Sequence, residues 1–240
     1  MALFLLAFFV GCGAPTYNVE KPLTSMEELG EGLDKDDRLA LIMSVGMIQK
    51  KDKNWVNGKT AQEIITYGKE LKNRIACIKN LKQIGIATRI YATDNQDRFP
   101  WQVASAEGGC AESMSNLKAD PDGFNVKNGR PAIVAFPDAF SAMRNELFSP
   151  DVLICPSDES AVAANNFDSL TEKNISYKLG LQADESKPNR ILSLCKHHHA
   201  KDGEWLILLS DSSVQRANNT KLQQYWTDQG ISNLAELKLE

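Results

Sequence analysis

The chain has 240 residues, and its 27 Lys and Arg against 31 Asp and Glu give a formal net charge of −4. An apolar fraction of 42% and a charged fraction of 24% are ordinary for globular proteins, so they exclude wholesale disorder. The slight acidity and the absence of a Lys/Arg block exclude the electrostatic footprint of a nucleic-acid-binding protein. The length allows one domain or two small ones.

The chain begins with an apolar run, residues 1–10, that leads directly into Gly11 and Cys12. A membrane-spanning helix needs about 20 such residues, whereas the apolar region of a secretory signal needs about 7 to 15. We therefore expect residues 1–11 to be a signal peptide. The ending Phe9-Val10-Gly11-Cys12 resembles a bacterial lipobox, in which the Cys is diacylated and becomes N-terminal. The resemblance implies that Cys12 is a lipid anchor in the cell envelope, at the inner or outer membrane, and that the mature chain faces the periplasm.

Two segments follow the predicted anchor. Residues 12–22 include two Pro and have few groups to bury, which is typical of a tether. Residues 23–59 are predicted to be a small helical segment, because apolar residues recur at steps of three and four over 25–49, with a break around Gly30–Asp36. Residues 50–59 are polar and predict a turn.

The remaining segment, residues 60–240, is predicted to begin with a long helix. Thr60 and Glu63 match a capping box, in which the Thr60 hydroxyl accepts from the Glu63 amide and the Glu63 carboxylate accepts from the Thr60 amide. An apolar stripe continues from there to about Asp94, so the helix is expected over about 60–94. The opposite side carries a row of Lys and Arg residues, which is typical of a solvated face.

Beyond about residue 100 the helical pattern gives way to short apolar runs, which fit strands better than helices. Strands are expected at 132–136, 152–155, 175–179 and 205–209, and helices at 138–148 and 219–229. One long leading helix followed by antiparallel strands with long loops indicates an α+β fold.

Short motifs follow one another along residues 73–230. They are CIKNLKQIG at 77–85, YATDN at 91–95, RFPW at 98–101, LICPSD at 153–158, NISY at 174–177 and LLSDSSVQ at 208–215. In this order they resemble the motifs of type II secretion pseudopilin-like (prepilin-type) proteins. The resemblance implies a pilin-like domain, with a long N-terminal helix laid across a small antiparallel sheet, and no enzymatic activity.

The segment before these motifs departs from the prepilin pattern. Prepilins carry a continuous apolar helix directly before the Cys-x-x-Asn-Leu motif, whereas residues 60–74 of this chain are amphipathic and include several charged side chains. Because a charged side chain at the bilayer centre costs about 2.5–3.5 kcal/mol, this helix is not expected to lie in a membrane or to assemble filaments in the usual manner. Residues 12–70 resemble instead a family of small bacterial lipoproteins. The two resemblances together imply a pseudopilin-like domain on a lipoprotein anchor.

Four cysteines remain in the predicted mature chain besides Cys12, namely Cys77, Cys110, Cys155 and Cys195. An even number in an oxidising compartment favours disulfides, with buried thiols as the alternative. The sequence leaves all three connectivities open. The pseudopilin-like resemblance implies that the motif cysteines Cys77 and Cys155 adjoin, with Cys110–Cys195 as the remaining disulfide.

The tripeptide Gly58-Lys59-Thr60 lies before a helix, as a phosphate-binding loop does. That loop requires a Gly at position 53, where this chain has Lys53, and an apolar strand before it, which is missing. We therefore expect no nucleotide binding.

Two loops contain weak candidates for metal ligands. The first loop has histidine nitrogens near Cys195, which suit zinc, but it lacks a second spaced ligand pair. The second loop has side-chain oxygens, which suit Ca²⁺, but it lacks the frame of an EF-hand. An exposed loop and a helix-ending turn account for them more simply, so no cofactor is expected. The candidates are His197, His198 and His199 for zinc, and Asp94, Asn95 and Asp97 for calcium.

The sequence thus predicts a non-catalytic cell-envelope lipoprotein whose pseudopilin-like domain is a structural or interaction module. Its expected partners are the membrane, through the lipid anchor, and other proteins of the envelope, rather than nucleic acids or nucleotides. The alternatives are an exported metal- or ligand-binding protein, for calcium or zinc, and a minor component of a type II secretion or type IV pilus-like assembly.

Overall fold

The computed structural model describes residues 14–118, 132–195, 197 and 203–229. The predicted signal peptide, Cys12, His198 and His199 lie outside these residues. The chain divides into two compact units, Met1–Lys72 and Asn73–Glu240, whereas the sequence analysis placed a boundary at residue 60. None of the helices in the described ranges is both long and apolar enough to cross a membrane.

The first unit is helical. Helix α1 covers Pro22–Gly30 and α2 covers Lys35–Lys51. The long helix α3, Ala61–Asp94, begins in this unit, and its residues from Asn73 onward belong to the second unit. The predicted break between the first two helices is therefore confirmed. Asp34 defines the start of α2, because its carboxylate accepts a hydrogen bond from the Asp37 amide at 2.8 Å.

The start of α3 has the predicted capping box. The Thr60 amide donates to Glu63 Oε2 at 2.9 Å, and the Glu63 amide donates to Thr60 Oγ1 at 3.4 Å. These bonds satisfy two of the backbone donors that a helix start leaves without an intrahelical partner.

The described part of the predicted tether is bound to the first unit. The Tyr17 amide donates to the Lys59 carbonyl at 2.8 Å, and the Gly58 amide donates to the Tyr17 carbonyl at 2.7 Å. The Tyr17 ring is only 2% exposed, so it contributes an aromatic side chain to the core that the sequence analysis did not foresee. The other buried members of this core are Leu29, Leu41, Val45, Ile48, Val56, Ile64 and Ile65.

The second unit contains a five-stranded antiparallel sheet in which each strand pairs with the next along the chain. The α+β class predicted from the sequence is confirmed. The strands are β1 (Ile133–Val134), β2 (Lys178–Gly180), β3 (Ile191–Cys195), β4 (Trp205–Leu209) and β5 (Val214–Ala217).

Both faces of this sheet are buried, which the β4 residues show most clearly. Leu206 and Leu208 belong to the core that the sheet forms with α3, whereas Trp205 and Ile207 belong to a second core. The second core includes Trp226 of helix α6 (Asn219–Asp228), which is the predicted C-terminal helix. A strand that is buried on both faces has apolar residues at every position. The β4 sequence therefore does not alternate between apolar and polar residues.

Three predicted elements between α3 and β3 differ from the structure because prolines and a non-helical residue change the direction of the backbone. Residues 152–155 are not a strand, since Pro150 starts a 3₁₀ helix, Pro150–Leu153. The strand at 132–136 shrinks to β1 because Pro137 starts helix α4 (Pro137–Ala142). The helix at 138–148 is two helices, since Met143 leaves helical geometry between α4 and α5 (Arg144–Leu147).

The strand expected at 175–179 is β2, which begins only at Lys178. Short 3₁₀ helices occupy much of the connecting chain in the second unit. Besides Pro150–Leu153 they are Pro100–Gln102, Ser105–Glu107, Ala111–Asn116, Phe167–Ser169 and Glu172–Asn174.

Candidate functional site

Three cysteine side chains from three separate segments meet in the core of the second unit. Cys77 lies on α3, Cys155 lies just after the Pro150–Leu153 helix, and Cys195 is the last residue of β3. Their sulfur atoms all lie within 4.8 Å of one another, and all three residues are fully buried. We call these three residues the thiol cluster.

Two asparagine amides of α3 hold the Cys155 segment against the helix. Asn80 Nδ2 donates to the Ile154 carbonyl at 2.9 Å, and Asn73 Nδ2 donates to the Pro156 carbonyl at 3.3 Å. Asn73, Cys77 and Asn80 follow one another at helical spacing on one face of α3. The two asparagines therefore flank Cys77 on the helix and fix the carbonyls on either side of Cys155.

The sheet supplies Cys195 and an adjacent tyrosine. Lys178 pairs with Leu194, so the antiparallel register places Tyr177 beside Cys195. The Tyr177 hydroxyl is fully buried and accepts a hydrogen bond from Asn80 Nδ2 at 3.3 Å. Asn80 thus links α3 to the Cys155 segment and to the tyrosine beside Cys195.

Burial and hydrogen bonding favour the protonated forms of Cys77, Cys195 and Tyr177. A hydrogen bond with Cys155, together with burial, raises the pKa of the Cys77 thiol, and hydrogen bonds with Cys155 and Cys77 do the same for Cys195. Burial, followed by the neighbouring thiols, raises the pKa of the Tyr177 hydroxyl. A raised pKa disfavours the thiolate, which is the nucleophilic form of a cysteine.

None of the four described cysteines is in a disulfide, so neither predicted disulfide is formed. Cys77 and Cys155 do lie together, but Cys195 joins them instead of pairing with Cys110. Strand β3 places Cys195 in the core against α3, next to Cys77 and Cys155. Cys110 lies on a different segment, between two 3₁₀ helices. Burial, aided by the nearby Asp138 and Glu112, raises the pKa of the Cys110 thiol to about 12.

Of the predicted zinc ligands, the structure describes Cys195 and His197, and these two have different partners. His197 Nε2 lies 3.0 Å from Asp158 Oδ2, while the Cys195 sulfur belongs to the thiol cluster. Asp158 also accepts from the Ser176 hydroxyl at 2.7 Å and from the Ser160 hydroxyl at 2.6 Å. Although burial acts to raise the pKa of Asp158, these hydrogen bonds and the nearby His197 lower it overall. This pair joins the segments that carry Cys155 and Cys195.

The predicted calcium ligands belong to the turn that ends α3. Asn95 Nδ2 donates to the Tyr91 carbonyl at 2.8 Å, and the Asp97 amide donates to the Ala92 carbonyl at 2.8 Å. Gln96 and Asp97 have φ values of +61° and +59°, which reverse the chain after Asp94. Within the described residues, the thiol cluster is the group of three or more potential ligands whose atoms converge.

Lys59, the lysine of the tripeptide that resembles part of a phosphate-binding loop, interacts with its own neighbours. Its Nζ lies 3.3 Å from Glu63 Oε1 and 5.5 Å from the centre of the Trp55 ring.

An apolar groove of about 580 Å³ lies on the surface of the second unit. Ile86 and Ile90 of α3 form one side, and Phe148 forms part of the other. Phe148 is 88% exposed and has a φ of +63°, a conformation that is unusual for a bulky residue. The sequence analysis missed this groove because Phe148 sits at the end of an apparently regular helix. Only Ser149-Pro150 after it hinted at a change of direction.

Comparison of the chain with protein-family models, with curated proteins and with solved structures gave no match. The function proposed below is therefore argued from the residues and their geometry.

Proposed function

We propose that the chain is a non-catalytic lipoprotein of the bacterial cell envelope, anchored through Cys12, whose second unit binds a partner protein. The observation that carries the binding role is the apolar groove formed by Ile86, Ile90 and Phe148. Exposed apolar patches of this kind mark interaction sites more often than single exposed apolar residues do.

The energetics of Phe148 support a binding role. A non-glycine residue with positive φ costs about 1–3 kcal/mol, and such strain concentrates at functional sites. Full burial of a phenylalanine side chain against a partner would return about 1.5–3 kcal/mol. The backbone conformation of Phe148 thus destabilises the isolated chain, and burial of its side chain against a partner would offset that cost.

The acidic residues of the groove indicate the chemistry of the partner. Glu146 and Asp151 line it together with the apolar side chains. Glu146 Oε2 is buried without a hydrogen-bond partner among the described residues. The partner surface is therefore expected to combine an apolar side chain with a basic or amide group.

Site-specific photocrosslinking in intact cells tests this proposal. A photoreactive residue at position 148 or 86 should give an adduct of one defined mass with an envelope protein. The same residue at Val162 is the control, since this apolar side chain is also exposed, at 69%, in the same unit but lies outside the groove. Equal crosslinking at position 162, or none at 148 and 86, would contradict the proposal.

A further inference from the structure

We propose that the thiol cluster is a binding site for a single thiophilic metal ion with a filled d shell, either Zn²⁺ or Cu⁺. This site does not depend on the lipid anchor or on the groove. Its failure would leave the proposed function intact, and the reverse also holds.

The geometry of the sulfur atoms matches a common central ion. Zinc–sulfur bonds are about 2.3 Å long, so three sulfurs around one ion lie about 3.7–4.0 Å apart. The three sulfur atoms of the cluster all lie within 4.8 Å of one another, and they come from α3, a loop and the end of β3.

The surroundings hold the three sulfurs in place, as the outer groups of a metal site do. Asn73 and Asn80 fix the carbonyls around Cys155, and strand register fixes Cys195 beside Tyr177. Such outer groups orient ligands and tune the bound metal.

The ligand set decides the class of ion. Thiolates select Zn²⁺ and Cu⁺, whereas Ca²⁺ and Mg²⁺ require oxygen ligands. On binding, each coordinating thiol passes its proton to solvent and forms a sulfur–metal bond, with no change in oxidation state. Three thiolates leave a net charge of −1 with Zn²⁺ and −2 with Cu⁺. Charge thus favours Zn²⁺, while Cu⁺ is satisfied by three ligands without a fourth.

Metal loading of the purified full-length chain tests the site. The chain is reduced without oxygen, mixed in separate experiments with Zn²⁺ or Cu⁺, desalted, and analysed for bound metal and reactive thiols. We expect a single ion per chain, three thiols protected from alkylation until a chelator is added, and three sulfur ligands by X-ray absorption. The ion that is retained identifies which of the two the site takes.

Four variants show whether the ion is held by the cluster. Cys77→Ser, Cys155→Ser and Cys195→Ser should each lose the tightly bound ion. Cys110→Ser is the matched control, because Cys110 is a buried thiol of the same unit outside the cluster, and it should retain the ion.

Three results would overturn the proposal. They are a folded wild-type chain that binds neither ion, metal binding that persists in the three cluster variants, and a disulfide within the cluster of the isolated protein that excludes metal. If a cluster variant loses its helical circular-dichroism signal, the number of sulfur ligands that X-ray absorption finds in the wild-type chain tests the site instead. Fewer than three sulfur ligands would contradict the proposal.

Discussion

Glu63 shows how a single carboxylate stabilises an element at the residue scale. Hydrogen bonds from the Thr60 amide and hydroxyl, and the nearby Lys59, lower the pKa of Glu63. A lowered pKa in the folded state means that the ionised carboxylate contributes stability above its ordinary pKa, near 4.5. That contribution is lost as the pH falls through the folded-state pKa.

In the Glu63→Gln variant, the stability of the start of α3 should therefore depend less on pH than in the wild type. The introduced glutamine side chain keeps an oxygen that accepts from the Thr60 amide, but it does not titrate. Hydrogen exchange of the amides at 61–67, corrected for intrinsic rates, should lose protection between about pH 6 and pH 3 in the wild type and lose less in the variant. An identical loss in both chains would show that the carboxylate charge does not stabilise the cap.

At the scale of elements, two glycines explain how a long helix packs closely against its neighbours. A Cβ atom at Gly68 would lie 2.0 Å from Ser44 Oγ and 3.0 Å from Ser44 Cα in α2. A Cβ atom at Gly85 would lie 3.0 Å from Leu208 Cδ1 in β4. The glycines that interrupt the apolar stripe of α3 are thus sites of close approach.

The Gly68→Ala variant should destabilise the first unit. The new methyl group cannot avoid the backbone of Ser44, and overpacking of this kind costs about 1–3 kcal/mol. Gly46→Ala in α2 is the matched control, because nothing lies within 4 Å of its Cβ position and alanine favours an exposed helix by up to about 1 kcal/mol. Hydrogen exchange of the α2 amides measures the stability of both variants. Equal stability would contradict the close packing of Gly68 against Ser44.

Helices α1 to α3 were predictable from sequence because their signals are local, whereas the single helix expected at 138–148 is two helices, α4 and α5. The stripe and capping box of α3, the Asn/Asp cluster that ends it, and the break before α2 all depend on neighbouring residues. The irregular chain around 150–155 was not predictable, because Pro150 and Ser149 redirect a run whose apolar residues still face the core. Strands β3 and β5 were missed because pairing across the sheet, rather than alternation, defines them.

At the scale of the whole molecule, the candidate site depends on contacts between distant segments. Cys77 and Cys155 lie together but without the expected disulfide, and no sequence signal placed Cys195 with them. Its position follows from the antiparallel pairing of β2 with β3, which also brings Tyr177 to the cluster. The groove was hidden for a similar reason, since the backbone conformation of Phe148 exposes a side chain that periodicity would bury.

The lipid anchor connects the two units to the cell envelope in the proposed function. Stable membrane attachment by acyl chains requires more than one chain, and diacylation of a cysteine supplies two or more. The Cys12→Ala variant removes the only proposed acceptor while leaving the described residues unchanged. The matched control is Cys110→Ala, which removes a cysteine that the proposal does not assign to the membrane.

Metabolic labelling with an alkyne-tagged fatty acid, followed by membrane fractionation, tests this central claim most directly. The wild type and Cys110→Ala should carry the label and sediment with membranes, whereas Cys12→Ala should be unlabelled and soluble. A wild-type chain without label, together with a Cys12→Ala variant that still sediments with membranes, would contradict the proposal that this protein is a lipoprotein.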